Sequence, residues 1–190
     1  MAVELAEETV RVGEVELSLL RPVDPEALLD EDAFARDEFL PYWAELWPAG
    51  LALARALPPS LAGTSVVELG CGLGIPSLIA AARGADVLAT DWADDAVSLL
   101  RRNAARNAVA LRAEVRDWRR FDGSFDLALA ADVLYERRNV EPLLALLPRV
   151  ASAVLLAEPG RPYFGEFLRK AAARWRVEEL GERVYRLVRR

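Results

Sequence analysis

The sequence predicts an α/β fold: a three-layer αβα sandwich around a mostly parallel seven-stranded sheet, with an antiparallel edge strand and an N-terminal β-hairpin extension. Three observations carry that prediction. Short apolar runs alternate with helical stretches from residue 61 onward. A glycine-rich turn, Gly70-Cys71-Gly72-Leu73-Gly74, joins the first such run to a helix. The chain closes on two strand-like segments joined near Gly181-Glu182, which supply the antiparallel edge.

The elements follow in order. Residues 9–20, TVRVGEVELSLL, alternate apolar side chains at Val10, Val12, Val15, Leu17 and Leu19 around Gly13-Glu14. Glycine first in a two-residue loop marks a II′ hairpin. An acidic stretch from Asp24 begins as a short surface helix, and PAGLALARALPPS is a helix stopped by Pro58-Pro59. SVVEL (65–69) is the first sheet strand and IPSLIAAARG the helix after the glycine loop. ADVLATD (85–91), LRAEVRDW (111–118), FDLALAADVLY (125–135) and SAVLLAEP (152–159) are the next four strands. The helix ADDAVSLLRRNAARN separates the second and third, with acids first and arginines later as its dipole prefers. NVEPLLALLPRV and PYFGEFLRKAAARW are the remaining helices. Residues 1–60 read as an extension packed on a domain spanning 61–190.

Composition narrows the chemistry. The 190 residues are 53% hydrophobic and 28% charged, the balance of a globular chain able to bury a full core. There is no histidine, so His-based triads, relays and metal sites are excluded, and no metal is expected. Cys71 is the single cysteine, which excludes a disulfide framework. Net charge is −6, so no overall basic field attracts nucleic acid. No run of about 18 apolar residues escapes a charge, so no membrane span is expected. The N-terminus carries early acids and lacks signal-peptide order. A cytoplasmic protein is the expectation.

The glycine loop decides what ligand the crevice takes. Gly70, Gly72 and Gly74 let the main chain bend tightly and approach a ligand closely. The Gly-Lys-Ser/Thr of a nucleotide P-loop is absent, and Ile75 stands where a dinucleotide fingerprint needs glycine. Glu68, just before the loop, would repel a pyrophosphate and attract an ammonium or sulfonium. Asp91, at the end of the second strand, sits where an acid holds ribose hydroxyls. These requirements describe a nucleoside bearing an amino acid and a positive charge, which is S-adenosyl-L-methionine.

With these residues in view, VVELGCGLG resembles the first motif of class I (Rossmann-like) methyltransferases, and the likeness covers most of residues 41–160. PYWAELWPAG, TDW, ADVLYE and AEPGR are similar to strings of the seven-strand lysine methyltransferase group, which includes the enzymes modifying the electron-transfer flavoprotein β-subunit. The resemblance implies roles. Glu68, Gly70, Gly72 and Gly74 would surround the methionine part, Asp91 the ribose and Trp92 the adenine, with Asp117 and Trp118 at its far edge. Trp47 would cover the cofactor, together with Trp43. Trp175 matches no motif and is expected in the core.

The acceptor would enter by Asp132, Tyr135 and Glu158. The string Asp132-Val133-Leu134-Tyr135 lacks the prolines of base and glutamine amino-methylases, and the Asp-x-x-Tyr pattern is the one lysine methyltransferases show. Asp132 can orient an ammonium group, and Tyr135 offers an aromatic wall with a polar tip. The reading is therefore methylation of a protein lysine. Its alternatives are a small-molecule N- or O-methyltransferase, or a non-catalytic cofactor-binding module.

Overall fold

The computed structural model describes residues 4–28 and 41–190. Strands β1 (Leu5–Val12) and β2 (Val15–Pro22) form the expected hairpin, with Val12 paired to Val15 across the Gly13-Glu14 turn. Val10, Val12, Leu17 and Leu19 are buried, as their alternation requires. Of the surface helix expected in the acidic stretch, one 3-10 turn is described at Glu26–Leu28, and residues 29–40 lie outside the described residues.

The central sheet contains β3 (Ser65–Leu69), β4 (Asp86–Asp91), β5 (Arg112–Val115), β6 (Phe125–Ala131), β7 (Ala151–Ala157), β8 (Trp175–Gly181) and β9 (Val184–Arg189). Its strand order is β5-β4-β3-β6-β7-β9-β8. The pairings from β5 through β7 are parallel, and β9 runs antiparallel to both β7 and β8, which gives the sheet its antiparallel edge.

Both faces of the sheet are covered, so its strands are apolar at successive positions. Val66, Leu129 and Leu155 face α1 (Pro48–Ala56), α2 (Ile75–Ala82), α3 (Asp94–Arg106) and the hairpin. Val67, Ala128 and Leu156 face α4 (Val140–Val150) and α5 (Phe164–Ala171). The hairpin is fastened to α3 by two asparagines one turn apart. Asn103 accepts from Leu20 N at 2.8 Å and donates to Leu20 O at 3.0 Å. Asn107 does the same for Ser18, at 2.8 and 2.9 Å. Their amides take the place of a neighbouring strand along β2.

Several boundaries differ from the sequence reading, three of them for a local reason. Strand β5 stops at Val115 because Arg116 N turns to Asp91 O and Asp117 accepts from Arg119 N, closing an Asx-type turn. Strand β6 stops at Ala131, since Asp132 takes the left-handed φ of 53°. The last helix ends at Ala171, and Trp175 opens β8, where it is buried in the core as expected.

The sheet reverses its winding between β3 and β6. Strand ends diverge there, and ligands of open α/β sheets bind in such a crevice.

Candidate active site

A cavity of about 450 Å³ opens at this switch point, over the C-terminal ends of β3, β4 and β6. Of the site residues singled out from the sequence, Trp47, Glu68, Gly70, Gly72, Gly74, Asp91, Trp92, Asp117, Trp118, Asp132 and Tyr135 line it, whereas Glu158, expected at the acceptor entry, does not. Trp43 lines it as well.

The loop between β3 and α2 is bare main chain where other elements crowd it. Gly72 has φ 50°, and a Cβ there would lie 3.2 Å from the Trp43 carbonyl oxygen. Gly74 caps α2 at φ 74°, and a Cβ there would run into the buried Leu100 side chain. Larger residues would push away either the N-terminal segment or α3.

Two buried carboxylates brace this loop. Asp91 Oδ2 accepts from Gly72 N at 2.9 Å, and its Oδ1 accepts from Ala93 N at 3.0 Å. Glu68 Oε2 accepts from Ser77 N at 3.0 Å and from the Ser77 hydroxyl, tying β3 to the first turn of α2. Burial pushes the Glu68 carboxyl up to about 8, against the lowering effect of both Ser77 hydrogen bonds. The Asp91 carboxyl is also raised by burial. Burial thus favours a protonated Glu68 brace over the standing anion its sequence position suggests. An approaching cation would favour release of its proton.

Indoles and a short helical turn form the walls. Trp92 is 45% exposed, and Trp118 is half-buried with its ring beside Gly70. Asp117 is exposed and committed to the Arg119 N–H at 2.9 Å. Trp47 precedes α1 and donates from Nε1 to Tyr42 O at 2.7 Å. The Tyr42 ring stands edge-on to Tyr135, with centroids 5.2 Å apart, and edge-on to Trp47 at 6.3 Å.

The residues expected from the sequence to meet the acceptor, Asp132 and Tyr135, line the same cavity. Asp132 N donates to Ala157 O at 2.9 Å, so the left-handed Asp132 is pinned between β6 and β7. Its carboxylate already has a cationic partner. Arg161 donates from Nε to Oδ1 and from Nη2 to Oδ2, both at 2.7 Å, and its guanidinium lies 5.6 Å from the Trp47 ring centre. Burial pushes the Tyr135 hydroxyl up to about 12, so it remains protonated. The sequence reading assigned no role to Arg161 or Tyr42, although both stand in quoted strings, AEPGR and PYWAELWPAG. Their contacts with Asp132 and Tyr135 join segments remote in the chain.

Fold and site together define the Rossmann-like methyltransferase class. Among solved structures, a 16S rRNA methyltransferase of T. thermophilus, in complex with AdoMet and guanosine, superposes with TM-score 0.70 over all of this chain and 52% of its own, at 19% identity. A TehB-like SAM-dependent methyltransferase of Corynebacterium glutamicum matches with TM-score 0.60 at 20% identity, covering 84% of this chain and 93% of its own. Residues 43–157 match the lysine methyltransferase family, and the chain belongs to it. Electron transfer flavoprotein beta subunit lysine methyltransferases are similar: that of Rattus norvegicus is 33% identical over 136 residues and that of Danio rerio 36% over 135, each match covering 65% of this chain and 52% of the relative. The chain thus spans about half the length of the curated relatives it matches.

Proposed function

We propose that the chain transfers a methyl group from S-adenosylmethionine to a lysine side chain of a protein. The carrying observation is one cavity lined by the glycine loop and Asp91 together with Asp132 and Tyr135. Family membership supports the lysine acceptor, and the relatives' names point to the β-subunit of electron transfer flavoprotein as the first candidate. A cytoplasmic location belongs to the same proposal.

The residues present fit the cofactor. Loop glycines leave room for a ligand against bare main chain, Asp91 would hold the ribose, and Trp92 and Trp118 would offer apolar faces to adenine. Trp47 and Trp43 close the cavity from the N-terminal segment. When bound, S-adenosylmethionine supplies a methyl group on a cationic sulfur, already activated for in-line attack. The protein's contribution is then positioning more than proton transfer. Tyr135, held as a neutral phenol, can accept a hydrogen bond from an amine or donate one, and its ring with Tyr42 walls the entry.

Incubating the chain with labelled cofactor and purified electron transfer flavoprotein, and separately with cell extract, tests the proposal by mass spectrometry. Label on a protein lysine is expected. Label confined to small metabolites replaces it with the small-molecule reading. Cofactor binding without transfer replaces it with a binding module.

A further inference from the structure

Arg161 sets a fixed cation at the acceptor end of the cavity. Both carboxylate oxygens of Asp132 accept from it at 2.7 Å, a bidentate arrangement that fixes a guanidinium in place. One side of the group lies over Trp47. Its backbone is held as well, because Glu158 Oε1 accepts from Gly160 N at 2.8 Å and from Arg161 N at 2.6 Å. Glu158 is buried, and its Oε2 has no hydrogen-bond partner among the described residues, so it braces this turn through one oxygen. Attachments from β6, the N-terminal segment and the turn after β7 make Arg161 part of the scaffold.

The consequence is electrostatic. Asp132 meets an incoming group with its charge already matched by Arg161, while Glu158, the other carboxyl beside Arg161, is turned to the Gly160 and Arg161 N–H groups and pushed by burial towards its neutral form. Leaving water at this cavity end further disfavours a charged amine. Around Arg161 stand Tyr42, Glu158 at its own root, and Arg183, whose guanidinium lies beside Gly160. Tyr135, edge-on to Tyr42, stays neutral, and Glu136 is paired with Arg138.

Resting on the lysine reading above, we propose that Arg161 is a positioning residue that admits the acceptor as a neutral amine. By occupying the cation-binding side of Asp132, it makes the lysine leave its proton in solvent before its nitrogen reaches the Asp132–Tyr135 end. Asp132 then orients the amine and does not act as its counter-ion.

The probe is n-butylamine, titrated calorimetrically into the full chain saturated with S-adenosylhomocysteine, so that binding is read without turnover. Wild-type affinity should rise about tenfold per unit between about pH 8 and pH 10, following the free amine of a group with pKa about 10.4. n-Butyltrimethylammonium, permanently charged, should bind at least about tenfold more weakly than butylamine near pH 10. In Arg161→Gln, butylamine should bind about tenfold more tightly near pH 8 and lose the pH slope, whereas Arg161→Lys should keep it. A flat wild-type profile, tighter binding of the quaternary cation, or no butylamine binding overturns the proposal, and none of these needs a variant to fold. Failure of S-adenosylhomocysteine to bind removes the methyltransferase reading itself, which separates the two failures.

Discussion

Asp91 Oδ2 accepts a hydrogen bond from Gly72 N at 2.9 Å, so the acid ending β4 holds the middle of the glycine loop that follows β3. The Thr90 hydroxyl donates to Glu68 O at 2.7 Å and Cys71 N donates to Thr90 O at 2.9 Å, so the two strand ends are laced at three successive points. The residue proposed to hold the ribose also shapes the loop that receives the rest of the ligand.

Asp91→Ala should therefore fail twice. It deprives the Gly72 and Ala93 N–H groups of their acceptor, at about 1–3 kcal/mol for each group left buried and unpaired. S-adenosylhomocysteine affinity, measured by calorimetry, should fall at least about 100-fold, or about 2.7 kcal/mol. Asp91→Asn keeps one acceptor oxygen and should recover part of the stability. Unchanged affinity in the alanine variant would remove Asp91 from the ligand site.

Glu68 makes stability depend on pH in an unusual direction for a carboxylate. Its folded value, about 8, lies above its ordinary 4.5, so between these values the folded chain holds a proton that the unfolded chain releases. The contribution is fully present below about pH 4.5, falls by up to about 1.4 kcal/mol per pH unit above it, and is lost beyond pH 8. Glu68→Gln keeps an oxygen for Ser77 and has no proton to lose. The difference in urea unfolding free energy, wild type minus variant, should shrink from pH 5 to pH 8. A constant difference would mean that Glu68 titrates normally.

The elements were legible where one physical signal dominated. SVVEL reads as a strand because burial on both faces selects its apolar Val66, Val67 and Leu69, and its bounds match β3. The glycine loop was legible because three glycines have few other uses before a helix. What the sequence could not convey was partnership. Arg161 and Asp132 are 29 positions apart and meet only because β6 and β7 are parallel neighbours and Asp132 turns at a positive φ. Glu68 read as an anion because a carboxylate in sequence carries no record of its burial. Asn103 and Asn107 read as helix residues, yet their amides bond to a strand more than 80 positions earlier.

That last attachment has a measurable worth. Asn103 is fully buried, and Asn103→Ala would leave Leu20 N–H and C=O without partners on a sheet of two strands. Global stability should drop by about 1–3 kcal/mol. Amide exchange at Leu20 should accelerate more than exchange in β3. Equal acceleration at both would show that the hairpin and the central sheet open as one unit.

Asp132 separates backbone, charge and chemistry in one set of variants. Its φ of 53° is tolerated by Asp, Asn and Gly better than by Ala, so Asp132→Ala adds roughly 1 kcal/mol of backbone strain to the lost ion pair. That ion pair is worth less than a fully buried one, because the Arg161 side chain is 34% exposed. Asp132→Asn keeps the conformation and removes the charge, while Asp132→Gly relieves the strain and removes the side chain. If the carboxylate orients the acceptor, methyl transfer to a lysine should fall at least about 100-fold in all three, with S-adenosylhomocysteine affinity within about threefold of wild type. A turn that merely supports the fold would instead let glycine restore transfer and make alanine the worst of the three. The ranking of the three rates therefore distinguishes a site residue from a strained hinge, and wild-type turnover in Asp132→Asn would take the carboxylate's charge out of the mechanism.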